Sequence, residues 1–215
     1  DPAGPYLGDT LAMGQAFLLL YQATADRTWL DHARGAGDFI ARTFIDPATG
    51  GFVTAAGQAA RHLPDAVKQK DENVAATRFF NLLAQHINSA PYRAIAETGM
   101  GYLASPAILD AYGFLPDVLL AEMELAHEAV RVTIVGAKDD PAALRLFRAA
   151  QAYPSSYKLL EWWDRAEPKL ASSAIEYPDY PGAAAFACTS SFCSLPVTSP
   201  AEVAGAMDRL ERVVK

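Results

Sequence analysis

Apolar positions along the first part of the chain recur every three to four residues, the period of a helix with one buried face. From Asp9 the run Leu11, Ala12, Ala16, Phe17, Leu19, Leu20 predicts a first helix, with Asp9 or Thr10 placed to cap it by accepting from a free backbone N–H. A second helix is predicted from about Asp26, with Trp29, Leu30, Ala33, Ala36, Gly37, Ile40 and Ala41 as its buried stripe. Asp46-Pro47-Ala48-Thr49-Gly50-Gly51 interrupts the pattern as a turn, since proline removes a donor and glycine accepts positive φ. Phe52-Val53-Thr54 reads as a short strand. Residues 55–70, polar and holding Pro64, read as a long loop of the kind that carries function. A third helix is predicted over about Asp71 to Ile87, with Val74, Ala75, Thr77, Phe79, Leu82, Leu83 and His86 available for packing. A fourth starts at Pro91, a residue suited to a first helical turn, and a fifth spans about Leu115 to Ala129. Short and long connections alternate, the pattern of helical hairpins stacked side by side.

The period then becomes strand-like. Val130-Arg131-Val132-Thr133-Ile134-Val135-Gly136 is β-branched, ends in glycine and predicts a buried strand. Asp139-Asp140-Pro141 opens a helix that runs to about Gln151, and Tyr157–Trp163 and Ala183–Cys188 predict two more strands. Ser199-Pro200-Ala201-Glu202 opens a last helix ending near Val214. Strand, helix, strand, strand, helix implies a small α/β unit with at least one parallel pair. The expected fold is mainly α with a small, partly parallel three-stranded α/β unit, divided into residues 1–129 and 130–215.

Composition supports this and narrows the partners. Ala accounts for 42 of the 215 residues, which favours helix. With 51% hydrophobic and 20% charged residues the chain is globular. Residues 1–129 hold 15 acids and 8 bases and carry the whole net charge of −7, whereas residues 130–215 hold 10 of each. A solvated acidic helix face explains the imbalance, as does a cleft lined with carboxylates. An acidic chain does not attract phosphate backbones, so no nucleic-acid partner is expected. No apolar run approaches the ~20 residues that cross a bilayer, so no membrane partner is expected either. There is no secretory leader pattern at the start, and a cytoplasmic location is expected. The chain opens on Asp1-Pro2-Ala3-Gly4 without an initiator Met, as a trimmed piece of something longer would.

Four groups of residues are candidates for chemistry. Cys188 and Cys193, in Cys188-Thr189-Ser190-Ser191-Phe192-Cys193, are the only cysteines. They fit two buried free thiols, a disulfide, or a redox pair that lacks C-x-x-C spacing. Glu124 and His127 share the Glu-x-x-His spacing of a di-iron bundle, but no second copy exists, so His127 reads as a helix-end cation and no metal is expected. His32, His62 and His86 are scattered. Phosphate-binding and nucleophile-elbow motifs are absent, and Ile134-Val135-Gly136-Ala137-Lys138-Asp139-Asp140 lacks the glycines of a nucleotide site. Lys70-Asp71-Glu72-Asn73 opens an apolar helix just after the long loop. Acids there are stabilised by the helix dipole, and at the mouth of a helical barrel a carboxylate can act as general base or hold sugar hydroxyls.

In order, Tyr6-Leu7-Gly8-Asp9, Gly50-Gly51-Phe52, Lys70-Asp71-Glu72-Asn73-Val74-Ala75-Ala76, Val132-Thr133-Ile134-Val135-Gly136 with Asp139-Asp140-Pro141, and Ala187-Cys188 to Cys193 with Pro196-Val197-Thr198-Ser199-Pro200-Ala201-Glu202 form a set. Over nearly its whole length the chain resembles the C-terminal portion of the YyaL-like, spermatogenesis-associated thioredoxin-domain family. The Cys-to-Pro-Val-Thr tail is the most specific part of that resemblance. It implies an (α/α) barrel of six helical hairpins, of which about two would be present, similar to those of N-acylglucosamine 2-epimerases and six-hairpin glycosidases. It also implies a thioredoxin-like domain that this sequence lacks. Many relatives carry a Pro-Ser-Gly-Asn type sequence where this chain has Asp71-Glu72-Asn73, and others resemble the Glu-Asn version.

The resemblance leads to two expectations. In the first, an acidic cleft binds or converts a carbohydrate-like molecule without a cofactor. Glu72 would be the base and Asp9 the second carboxylate, with Asn73, Asp71 and Tyr6 contacting substrate. In the second, the chain is a non-catalytic helical scaffold or interaction module supporting a thioredoxin-like domain, and Cys188 and Cys193 are its informative residues. In either case the rest of a larger protein, or a second copy, would complete the barrel.

Overall fold

A computed structural model describes residues 4–57, 67–170, 175–190 and 192–214. Helices α1 (Leu7–Thr24), α2 (Arg27–Thr43), α3 (Lys70–Ile87), α4 (Ala90–Leu103), α5 (Pro106–Leu109) and α6 (Pro116–Ala126) come first. Strand β1 (Val130–Val135), α7 (Pro141–Gln151), β2 (Lys158–Trp163), β3 (Ala184–Cys188) and α8 (Pro200–Val214) follow. The fold is mainly α with a small α/β unit. The chain forms two units. One comprises the described residues within Asp1–Tyr21, Asp26–Gln85 and Ser89–Ala126, and the other those within Gln22–Ala25, His86–Asn88 and His127–Lys215. No described helix is long and apolar enough to cross a membrane.

In the first unit, glycines mark where helices approach closely. Helix α1 buries Leu7, Leu11, Gly14, Leu18 and Tyr21, a four-three repeat along one seam. A Cβ at Gly14 would lie 2.8 Å from the Phe79 ring and 3.2 Å from the Ala36 Cβ, so α2 and α3 both press on α1 there. Ala12, Leu19 and Leu20, expected in the core, are exposed instead. The physical reason is that α1 is apolar on nearly every face, so its period does not say which face is buried. The close approach of α2 and α3 at Gly14 does. Helix α2 starts at Arg27, with the Asp26 side chain accepting from Thr28 N–H, and buries Leu30, Ala33, Gly37 and Ile40.

Two boundaries differ from expectation. Helix α1 begins at Leu7, so Asp9 lies inside its first turn and is not a cap. Phe52-Val53-Thr54 is not a strand. The segment makes only single antiparallel bridges, Ile45 with Phe52 and Tyr6 with Ala55, because the Phe52 N–H and carbonyl are taken by the Asn73 side chain and not by a neighbouring strand. In addition, the fifth helix ends at Ala126, and the short α5 precedes it. Pro64 and His62 of the long loop lie outside the described residues.

In the second unit the sheet order is β2-β1-β3, with β1 parallel to β2 and antiparallel to β3. Helix α7 makes the crossover, capped by the Asp140 side chain accepting from Ala142 N–H at 2.7 Å, with Pro141 in its first turn. Helices α7 and α8 cover one face through Val132, Ile134, Leu160, Trp162, Leu146 and Met207. The Lys158 ammonium caps the end of α7, donating to the carbonyls of Ala150, Gln151 and Tyr153. Burial pushes its pKa down.

Candidate functional site

The residues singled out near Lys70 gather where the first turns of α1 and α3 meet the segment 52–56. Leu7 N–H donates to the Thr54 carbonyl at 2.9 Å and Ala56 N–H to the Pro5 carbonyl at 3.1 Å, which ties the start of α1 to that segment. Half-buried Glu72 reaches the same place. Its Oε2 accepts from the Thr54 hydroxyl at 2.8 Å, and its Oε1 would lie 3.0 Å from a Cβ at Gly8. Asp9 is exposed in the first turn of α1, and Tyr6 is half-buried at its bridge to Ala55.

The other candidates of the cluster hold the framework. Asn73 is fully buried. Its Oδ1 accepts from Phe52 N–H at 2.7 Å, and its Nδ2 donates to the carbonyls of Phe52 and Gln69, both at 2.9 Å. Every N–H of the amide is therefore used on backbone, and the Phe52 ring is held in a 5.7 Å stack on Phe80. Asp71 is exposed and pairs at 2.8 Å with Lys70, whose ammonium also donates to Asp117. Hydrogen bonding to Asp117 raises the Lys70 pKa, and the same bond lowers that of Asp117.

A second lock, built on Lys68, did not stand out in the sequence. Its ammonium lies 2.7 Å from Asp46 Oδ2 and 2.5 Å from both the Thr49 hydroxyl and the Gly50 carbonyl, with the Tyr102 ring beneath it. The Lys68 bond, aided by Thr49 and the Ala48 N–H, holds the Asp46 carboxyl well below the usual carboxylate range. This locks the Asp46–Gly51 turn beside the Glu72 site. Glu124 is likewise structural: its carboxylate takes two bonds of 2.7 Å from the Arg78 guanidinium. His127 follows the end of α6, and its carbonyl accepts from the Tyr157 hydroxyl at 3.0 Å.

In the second unit, Cys188 and Cys193 form a disulfide, which removes the reading of two free thiols. The two residues face each other across a tight hairpin closed by Thr189 N–H to the Phe192 carbonyl and Ser194 N–H to the Ala187 carbonyl. Cross-strand placement after β3 brings the sulfurs together, a geometry that spacing alone does not specify.

The sheet face opposite α7 and α8 carries a buried polar group. Glu161 accepts from Arg131 at 2.9 Å, and His86 Nδ1 lies 3.7 Å away. The Tyr177 hydroxyl donates to Thr133 at 2.7 Å, and burial pushes its pKa up to about 12. The signal for this group was Arg131 and Glu161 inside two mainly apolar strands, since a buried charge requires a partner.

No family model matches the chain, and no curated protein matches it significantly.

Proposed function

We propose that the helical unit binds a polyhydroxylated, carbohydrate-like small molecule at the rim where α1 and α3 begin, and that the chain is related to the C-terminal portion of the YyaL-like family. The observation that carries the reading is the position of Glu72. One carboxylate oxygen is oriented by Thr54, and the other stands over Gly8, beside exposed Asp9 and half-buried Tyr6. Carboxylates at such a rim accept hydrogen bonds from sugar hydroxyls, and an aromatic ring gives a sugar face an apolar surface. Glu72 is the group placed to remove a proton from a bound sugar, and Asp9 is the second carboxylate an acid–base reaction requires. Asn73 and Asp71 act on this site indirectly, by holding Phe52 and Lys70.

The test is calorimetric and NMR titration with a panel of neutral hexoses and N-acylhexosamines. Saturable binding is expected, weakened about tenfold or more in Glu72→Gln, which keeps the Thr54 bond. Equal binding by wild type and variant, or no saturable binding to any member of the panel, refutes the reading.

A second reading, a helical scaffold completed by another chain, is supported by apolar side chains left uncovered on α1 and α6. Met13 is 52% exposed, Leu19 66%, Leu119 55% and Met123 58%. Light scattering at graded concentrations tests it, and a monomer throughout argues against self-completion.

A further inference from the structure

We propose that the groove between residues 194–197 and α8 is a binding site for a free dipeptide, which lays its ammonium against Glu202 and its carboxylate against Arg209. The proposal concerns the second unit alone and does not rest on the carbohydrate reading.

The groove is built from two elements of that unit. Leu195, Pro196 and Val197, which follow β3, face Glu202, Gly205 and Arg209 of α8 across a volume of about 570 Å³. That volume lies within the range of small-molecule sites. Helix α8 buries Val203, Ala206, Met207 and Leu210 in the core it shares with the sheet. Glu202, Gly205 and Arg209 recur at i, i+3 and i+7, so they form a separate stripe along one side of the helix and line the groove together.

The floor of the groove is open. A Cβ at Gly205 would meet only Arg209 Nη1, at 3.6 Å. No other element comes that near, and the Arg209 side chain folds back along α8 over the glycine, the direction long side chains take on a helix.

The two charges are uncommitted. Glu202 and Arg209 are both exposed, and neither makes a side-chain hydrogen bond or ion pair with another described residue. Their Cα atoms are about 10 Å apart along the helix axis. The guanidinium lies back over Gly205, which brings the charged heads closer than that. An extended dipeptide carries its ammonium and carboxylate about 7 Å apart, a span of the same order. A ligand with two charges of one sign would meet repulsion at one end.

The wall selects side-chain recognition over strand addition. Leu195 is 85% exposed and, with Pro196, offers an apolar surface to the middle of the ligand. The N–H groups of Ser194 and Val197 are spent on the carbonyls of Ala187 and Ala185, and the Leu195 carbonyl accepts from the Ser194 hydroxyl. Pro196 has no N–H. A longer peptide adding as a strand would find at most the Leu195 N–H, so the site reads the two termini of a short ligand.

The experiment titrates the full chain, labelled with nitrogen-15, with Ala-Leu, N-acetyl-Ala-Leu and Ala-Leu amide, following amide shifts of residues 194–209 by NMR. Saturable binding of Ala-Leu with a Kd of about 1 mM is expected for a ligand of this size in an open groove. Capping either terminus is expected to weaken binding about twofold to fivefold, the worth of one exposed ion pair. The variants test which charge meets which. In Glu202→Gln the free and acetylated peptides should bind alike, and in Arg209→Gln the free and amidated peptides should. Gly205→Leu, whose side chain enters open space, should melt no lower than wild type and lower the Ala-Leu affinity at least about fivefold. Absence of saturation overturns the proposal. So does equal binding of Ala-Leu and its acetylated form to wild type, which marks an anion site at Arg209 only. A capping effect that survives in the matching charge variant, or a folded Gly205→Leu chain that binds as wild type does, overturns it as well.

Discussion

Removing the Asn73 amide should destabilise the helical unit more than any contact in its apolar core suggests. Asn73→Ala deletes the bonds to Phe52 N–H, to the Phe52 carbonyl and to the Gln69 carbonyl. The Gln69 carbonyl keeps the Asn73 backbone N–H as a donor at 3.1 Å, so its loss is small. Phe52 is 1% exposed, and both its backbone groups lose the amide in a place water does not reach. Each buried polar group left without a partner costs about 1–3 kcal/mol, so with two such groups the variant should lose about 2–6 kcal/mol. Against a total stability of about 5–15 kcal/mol this is a large share, and it corresponds to a fall in Tm of about 10 °C. Urea unfolding followed by circular dichroism measures the loss. Hydrogen exchange at the Phe52 amide measures it locally. Asn73→Asp should be worse at neutral pH, because a carboxylate would then face two carbonyls, and should recover partly in acid as it regains a donor. A loss below about 1 kcal/mol in Asn73→Ala, or a neutral-pH Asn73→Asp as stable as wild type, would show that the amide does not hold the 52–56 segment.

Three more outcomes follow from the same unit. The Asp46 carboxyl is held below its ordinary value of 3.8. The stability it contributes is therefore complete above that value and is lost as pH falls through the lowered folded value. Wild type should exceed Asp46→Asn by a constant margin from pH 5 upward and by a shrinking margin in acid, measured by urea midpoints across pH; a margin independent of pH would contradict the Lys68–Asp46 lock. Gly14→Val should cost about 1–3 kcal/mol by overpacking, because a Cβ there meets the Phe79 ring at 2.8 Å. Gly35→Ala, on open space in α2, should be neutral or slightly stabilising by thermal melts.

Much of the architecture was legible because local signals agreed. The second helix starts beside Asp26 and the helix after β1 is capped by Asp140, as the sequence predicted, and the β-branched run at Val130 formed the central strand of the sheet. The buried positions of α2 followed its strong apolar stripe. The face of α1 did not, since an apolar residue on every side leaves the choice to its neighbours. The site was legible as a stretch, Lys70 to Asn73, but not as roles. Four consecutive polar residues on a helix start point in different directions. Only their partners show that Asn73 clamps Phe52, Asp71 and Lys70 make an ion-paired surface, and Glu72 turns towards Gly8 and Thr54.

What the sequence determined by itself was therefore the class of the longer helices and of the three sheet strands, the switch from helical to strand-like period near Val130, and the acidic character of the first part. Those features depend on neighbours along the chain, through capping, periodicity and composition. The tertiary structure alone decided the disulfide, the buried Glu161–Arg131 pair and the Lys68–Asp46 lock. Each joins residues that the fold must first bring together: cross-strand placement for the two cysteines, and for the two ion pairs a packed setting that removes the water between the charges.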